Sequence, residues 1–227
     1  MTGLISTIIP VLAVLLGALV SVWRRPGEAV VAGVQHLAAG VVFAAAAAEI
    51  LPQVLHGGSP AATLIGGAVG VVVMLGLKAA GSKMTGPVAM LGAVGIDILV
   101  DGLVLGLAFV AGEKAGRLLT IALTLEVLFL GLTVTEALQD RIRSKVAIIG
   151  ATLGIGLLLP VGALIATPVA TLSPAMITAF LSFGLMALLY LVTEELLVEA
   201  HEKPDTPLIS AMFFVGFLGL LLIEELS

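Results

Sequence analysis

Cysteine is absent from this chain. That excludes disulfides and thiolate metal sites. Charge is scarce too. Asp, Glu, Lys and Arg together make up 11% of the 227 residues, while hydrophobic types reach 60% and mean hydropathy is +1.25. A soluble domain carries about a quarter charged residues and about half apolar ones. The composition is that of a polytopic membrane protein. The lipid bilayer is its expected surrounding, and no nucleic-acid partner is expected. No nucleotide-binding motif is present, so any transport must draw on gradients or coupled ions. No Ser-His pair, HExxH motif or paired-aspartate protease motif occurs, so an enzyme is not expected. The first 26 residues run apolar and then basic, MTGLISTIIPVLAVLLGALVSVWRRP. A signal peptide has the reverse order, so this stretch reads as a first transmembrane helix.

What is present is a series of long apolar runs. A span needs about 20 mainly apolar residues. Eight segments meet that rule: 3–22, 29–55, 60–80, 87–111, 117–139, 146–167, 175–200 and 207–225. Turn signals separate them, among them HGGSP, GSKMTGP and HEKPDTP. These connections are too short for a soluble domain, so residues 1–227 read as a single all-α membrane domain. Lys and Arg set the orientation. Arg24, Arg25, Lys78, Lys83, Arg141, Arg143, Lys145 and Lys203 fall on one side, and Lys114 and Arg117 on the other. By the positive-inside rule the crowded side is cytoplasmic. Both termini are then extracytoplasmic, and the expected setting is a prokaryotic inner membrane.

AAGVVFAAAAAEILPQVLH in span two echoes SFGLMALLYLVTEELLVEAH in span seven. Each has a glycine, an apolar run, an acid followed by aliphatics, and a histidine. The two spans run in opposite directions, so spans one to three and six to eight are expected to form an inverted repeat, as in many secondary transporters.

A charge near the midplane costs about 2.5–3.5 kcal/mol on insertion scales. Counting along the spans puts Asp97, Asp101 and Glu126 there. Glu49 lies toward the outer end of span two, and Glu194 and Glu195 toward the inner end of span seven. Asp97 and Asp101 stand four apart, on one helix face. Two like charges so close require a proton on one or a cation between them. No Lys or Arg occupies a span centre. The three acids therefore suit a cation or proton path. Protonated acids that merely join helices are the open alternative. Gly92, Gly95, Gly102, Gly106 and Gly131 leave room for close approach around the acids. Pro160, inside span six, frees a carbonyl one turn back, which leaves a cation ligand or a kink. His36 reads equally as a proton-relay member or a packed residue. His56 and His201 read as interface residues.

These features resemble the ZIP family of divalent-metal transporters along nearly all eight spans. Glu49-Ile50-Leu51-Pro52 stands where the family's second span ends in an acid or His before Leu-Leu-Pro. The frame from Asp97 to Gly106 stands where its fourth span has H-N-x-P-E-G-x-A-x-G. Glu126 to Gly131 matches H-x-x-P-E-G of the fifth span. Leu159-Pro160-Val161-Gly162-Ala163 matches Glu-Pro-Leu-Gly-Ala of the sixth. Glu194 to Glu199 resembles H-E-x-x-P-E of the seventh. The resemblance implies a ZIP-like bundle and a secondary transporter with a midplane metal site. It also implies a divalent metal as substrate (zinc, manganese or iron), with no resident cofactor, and leaves a homodimer open.

The departures are chemical. The family His becomes Asp97, Asn becomes Ile98 and Glu becomes Asp101. In span five His becomes Glu126 and Glu becomes Leu130. The span-six Glu becomes Leu159. What the resemblance leaves is one all-carboxylate site from Asp97, Asp101 and Glu126, aided by Glu195, with Glu49, His36 and Glu194 as pathway candidates. Imidazole suits zinc, while carboxylate suits magnesium, calcium and manganese. The alternatives are a transporter of the same fold repurposed for a non-metal solute or protons, and a non-transporting scaffold or regulator.

The absence of cysteine makes the orientation easy to test. Gly112→Cys is expected to react with a membrane-impermeant maleimide on intact spheroplasts. Ser144→Cys is expected to react only after permeabilisation. The reverse pattern would invert the assigned topology.

Overall fold

The computed structural model describes residues 2–24, 27–81, 86–139, 141–202 and 206–226. Among them eight helices are long and apolar enough to cross a membrane. They are Leu4–Trp23, Glu28–His56, Pro60–Gly81, Met90–Ala111, Glu113–Gln139, Lys145–Thr171, Pro174–His201 and Pro207–Leu226, hereafter spans one to eight. The described residues contain no strand. The eight-helix, all-α expectation holds, and the chain has the form of an integral membrane protein. Arg25, Lys83, Lys203 and the short loop segment 82–85 lie outside the described residues.

Local chemistry explains where the helices begin. Pro60, Pro174 and Pro207 each open one, where the missing N–H costs nothing and the fixed φ suits the first turn. Ser144 and Ser173 cap spans six and seven by accepting from the N–H groups of Ala147 and Met176, at 3.3 and 3.4 Å.

Contacts between span ends show the alternation of direction. At one end, Gln139 Nε2 donates to the Ser21 carbonyl at 3.0 Å and Lys145 stacks on Trp23. Gln35 joins Glu199 and Lys78 joins Glu194 at the same end. At the other end, Ser182 donates to the Thr63 carbonyl and Lys114 pairs with Glu224.

The helices pack mainly in four pairs: one with five, six with four, two with eight, and seven with three. Small residues set how close they come. A β-carbon at Gly102 in span four would overlap the Leu159 carbonyl of span six, and one at Gly162 would overlap the Leu99 carbonyl of span four. Gly17 and Gly131 have the same reciprocal arrangement between spans one and five. Backbone meets backbone at these crossings, as small residues permit in membranes.

Four spans depart from a regular α-helix. Span one breaks at Thr7, between Thr2–Ser6 and Ile8–Trp23. Span six breaks at Leu157, where the helix Lys145–Gly156 stops and Leu158–Ala166 starts. Pro160 accounts for the break, since it cannot donate to the Gly156 carbonyl and its ring crowds that turn. Spans two and seven each contain a π-helical stretch, Ala46–Ile50 and Leu191–Leu196. The first holds Glu49 and the second holds Glu194 and Glu195.

The crossing of spans four and six makes a stability prediction. Gly102→Ala and Gly162→Ala should each destabilise the fold by about 1–3 kcal/mol, the usual range for overpacking. Gly154→Ala, which meets open space, should leave the melting temperature in detergent unchanged or slightly raised.

Candidate functional site: a buried carboxylate cluster

Span four brings Asp97 and Asp101 to one face, one turn apart. Span five brings Glu126 against them. One carboxylate oxygen from each of the three lies within 4.8 Å of the other two. Asp101 is 3% exposed and Glu126 1%, so two of the three are buried. Oδ2 of Asp101 and both oxygens of Glu126 are buried without a hydrogen-bond partner among the described residues. A buried polar atom without a partner is expensive. Here three lone-pair-bearing oxygens are left so at one point.

Around the cluster the walls are apolar. Ile98 and Leu159 are fully buried beside it. The proximity of spans four and six, set by Gly102 and Gly162, holds Leu159 against this region.

A cavity of about 550 Å³ leads to the cluster, lined by Asp97 and Glu126 but not by Asp101. Asp101 therefore sits behind the other two. The remaining polar wall is Lys78, Thr133, Glu195 and Glu199. Lys78, Gly81, Ala137 and Glu199 come from the end of the bundle where Gln139 meets Ser21. The cavity thus lies toward the end where most of the described Lys and Arg residues are found.

Glu195 lies beside Asp97. Glu194, its neighbour, does something different. It pairs with Lys78 at 3.0 Å, with both side chains about half exposed. Lys78 also lies over the Tyr190 ring at 5.7 Å. This pair sits at the cavity wall, and as an exposed ion pair it adds little to stability. Its main effect is to put a cation beside the acids.

The other pathway candidates lie elsewhere. Glu49 is buried in its π-helical stretch on the opposite half of the bundle, in the electrostatic field of Lys114 and Glu224. His36 is buried and does not line the cavity. It packs against His201.

Reading the sequence missed two residues that join this region. Gln35 donates from Nε2 to Glu199 Oε2 at 2.9 Å, and Lys78 reaches Glu194. The spacing of Glu195 and Glu199 repeats that of Asp97 and Asp101. That i,i+4 signal could have placed Glu199 on the same face as Glu195.

No family model matches this chain, and no curated protein matches it.

The unpartnered oxygens predict a thermal signature. Glu126→Gln removes one charge from three crowded acids. In chelator it should raise the melting temperature by about 2–4 °C, the shift that about 1 kcal/mol gives in a chain of this size. Added Mn²⁺ should then stabilise the native chain but not this variant.

Proposed function

We propose that this protein is a ZIP-like secondary transporter that moves a divalent metal cation through the Asp97–Asp101–Glu126 cluster, with Glu195 as an additional ligand. The observation that carries the reading is the convergence of three carboxyl groups, two buried and one half-buried, at a cavity reaching one end of the bundle, with several of their oxygens lacking partners among the described residues. Acids in a span interior are functional by default because their insertion is costly and water-filled routes relieve it. A cation supplies what the protein leaves out, namely positive charge among acceptors only.

The positive-inside assignment makes the open end cytoplasmic, so this is an inward-facing shape. Asp101, behind the cavity, is then the ligand on the outward side of the site. An outward-facing partner state needs an internal symmetry. The helix pairing supports one. Exchanging span one with six, two with seven, three with eight and four with five turns the pair one–five into six–four and the pair two–eight into seven–three. The π-helical stretches of spans two and seven exchange as well, each with its acids. An inverted repeat of spans one to three and six to eight, with four and five as its central pair, is the reading these pairings favour.

The ligand chemistry points to a hard cation. All four groups offer oxygen, and oxygen ligands suit manganese, magnesium and calcium more than imidazole does. Iron(II) and zinc accept carboxylates without a comparable preference. A second reading, a non-metal solute, is favoured by one observation: Ile98, Leu130 and Leu159 stand where the resembled family has ligands, and they make that side of the site aliphatic.

Uptake into proteoliposomes with competing metals separates the two. Manganese should be taken up, with zinc showing no more than a few-fold advantage. Asp101→Ala should abolish uptake. Asp97→His should shift preference toward zinc at neutral pH and lose that shift below pH about 6.5, where a free imidazole protonates. No metal uptake and no micromolar binding by the native chain would end the metal reading in favour of the non-metal solute.

A further inference from the structure

The turn between spans five and six gathers positive charge that the proposed transport does not use. Residues 139–145 read Gln-Asp-Arg-Ile-Arg-Ser-Lys. They hold three cations against one acid, Asp140, which lies outside the described residues. Ile142 turns inward and packs on the small core of Val22, Leu138 and Ile148. Arg141 and Arg143, on either side of it, are exposed. Span one ends against this turn, because Gln139 donates to the Ser21 carbonyl. Arg24 follows directly and is exposed as well. Four cations, Arg24, Arg141, Arg143 and Lys145, thus meet at one corner of the bundle.

Two observations say what they face. Lys78 and Lys114 each have a carboxylate partner. None of these four cations has one among the described residues. Lys145 lies instead over the Trp23 ring, at 5.9 Å. Trp23 is the second observation. It is 83% exposed at the end of a span, and Val146, next to Lys145, is exposed too. An indole so placed belongs at the boundary between hydrocarbon and headgroups. It sets the depth of the cations beside it at the level of lipid phosphates. Arginine suits that partner, since its fork of N–H donors matches two phosphate oxygens. At the opposite end the described cations are Lys114, taken by Glu224, and Arg117.

We propose that this corner binds the headgroup of an anionic phospholipid. Arg141 and Arg143 hold the phosphate, Arg24 and Lys145 flank it, and Trp23 and Val146 lie against the acyl chains. A soluble anion would answer the four charges but leave the indole and the valine uncovered. A molecule with both a phosphate and chains answers both. Basic residues at a membrane surface attract anionic lipid in this way. The headgroup would tie span one to the start of span six. This binding does not depend on metal transport.

The chain carries its own probe, because Trp23 is its single tryptophan. The full-length protein is placed in vesicles that contain phosphatidylcholine and phosphatidylglycerol at equal fractions. In one series the phosphatidylglycerol has acyl chains brominated near the headgroup, and in the other the phosphatidylcholine has. Bromine quenches an indole it touches, so the ratio of the two quenching levels gives the lipid preference at Trp23. The native chain should prefer phosphatidylglycerol, and the preference should weaken as salt is raised. The double change Arg141→Gln with Arg143→Gln should lower the preference at least about fivefold, the factor that a single basic residue contributes at an anionic surface. Arg24→Gln, on a separate element, should lower it as well. Lys114→Gln with Arg117→Gln, at the other end, should leave it unchanged. The proposal is overturned if the two lipids quench the native chain equally, if the preference survives the Arg141 and Arg143 changes, or if the Lys114 and Arg117 changes remove it. Loss of the preference on adding inorganic phosphate at matched ionic strength would overturn it too, by assigning the corner to a free anion.

Discussion

Carboxylates in a hydrocarbon interior need positive charge near them, and this chain provides almost none of its own. That constraint organises the rest. Asp97, Asp101 and Glu126 cannot all be ionised at 4.8 Å or less without a cation or protons between them. Among the described residues that line the cavity, the one ammonium, Lys78, is paired with Glu194 at the wall and does not enter the cluster. A resident Lys or Arg at the centre would satisfy the acids permanently. Its absence there leaves the charge of the cluster to be met by protons or by a cation.

Holding repelling groups together takes a rigid frame. The frame here is made of backbone contacts instead of large interlocking side chains. Spans four and six touch through Gly102 and Gly162, and spans one and five through Gly17 and Gly131. Little hydrophobic drive exists between helices in lipid, so close approach and dispersion must supply the association. Spans four and five, which carry the three acids, each belong to one of these tight pairs. The three acids are therefore carried by helices held in backbone-to-backbone contact.

The spans were legible in the sequence because hydrophobic length is a signal spread over some twenty residues. The convergence of Asp97, Asp101 and Glu126 was legible from depth and from four-residue spacing, both regular properties of a straight helix. Other features were not. The link from Gln35 to Glu199 joins residues 164 positions apart, and no local pattern encodes it. Glu194 and Glu195 are neighbours in sequence, yet one meets Lys78 and the other Asp97. Which does which depends on helix rotation in a stretch whose geometry is not α-helical. His36 could not be resolved between relay and packing, because that depends on what its ring touches. Its neighbour proved to be His201, which by sequence alone read as an interface residue.

The wide turns of spans two and seven have a consequence for how this chain tolerates change in length. A π-helical turn holds one residue more than the α-helical turn it replaces. Removing a single residue from the 191–196 stretch would restore an ordinary helix with little change in total rotation, because the wide turn takes up its extra residue without turning its flanks. Glu199 would keep Gln35, His201 would keep His36, and Ser182 its hold on Thr63. The change would fall inside the stretch, on the directions in which Glu194 and Glu195 point. A one-residue deletion in the regular part of span seven has no such slack, and would turn one half against the other by about 100°.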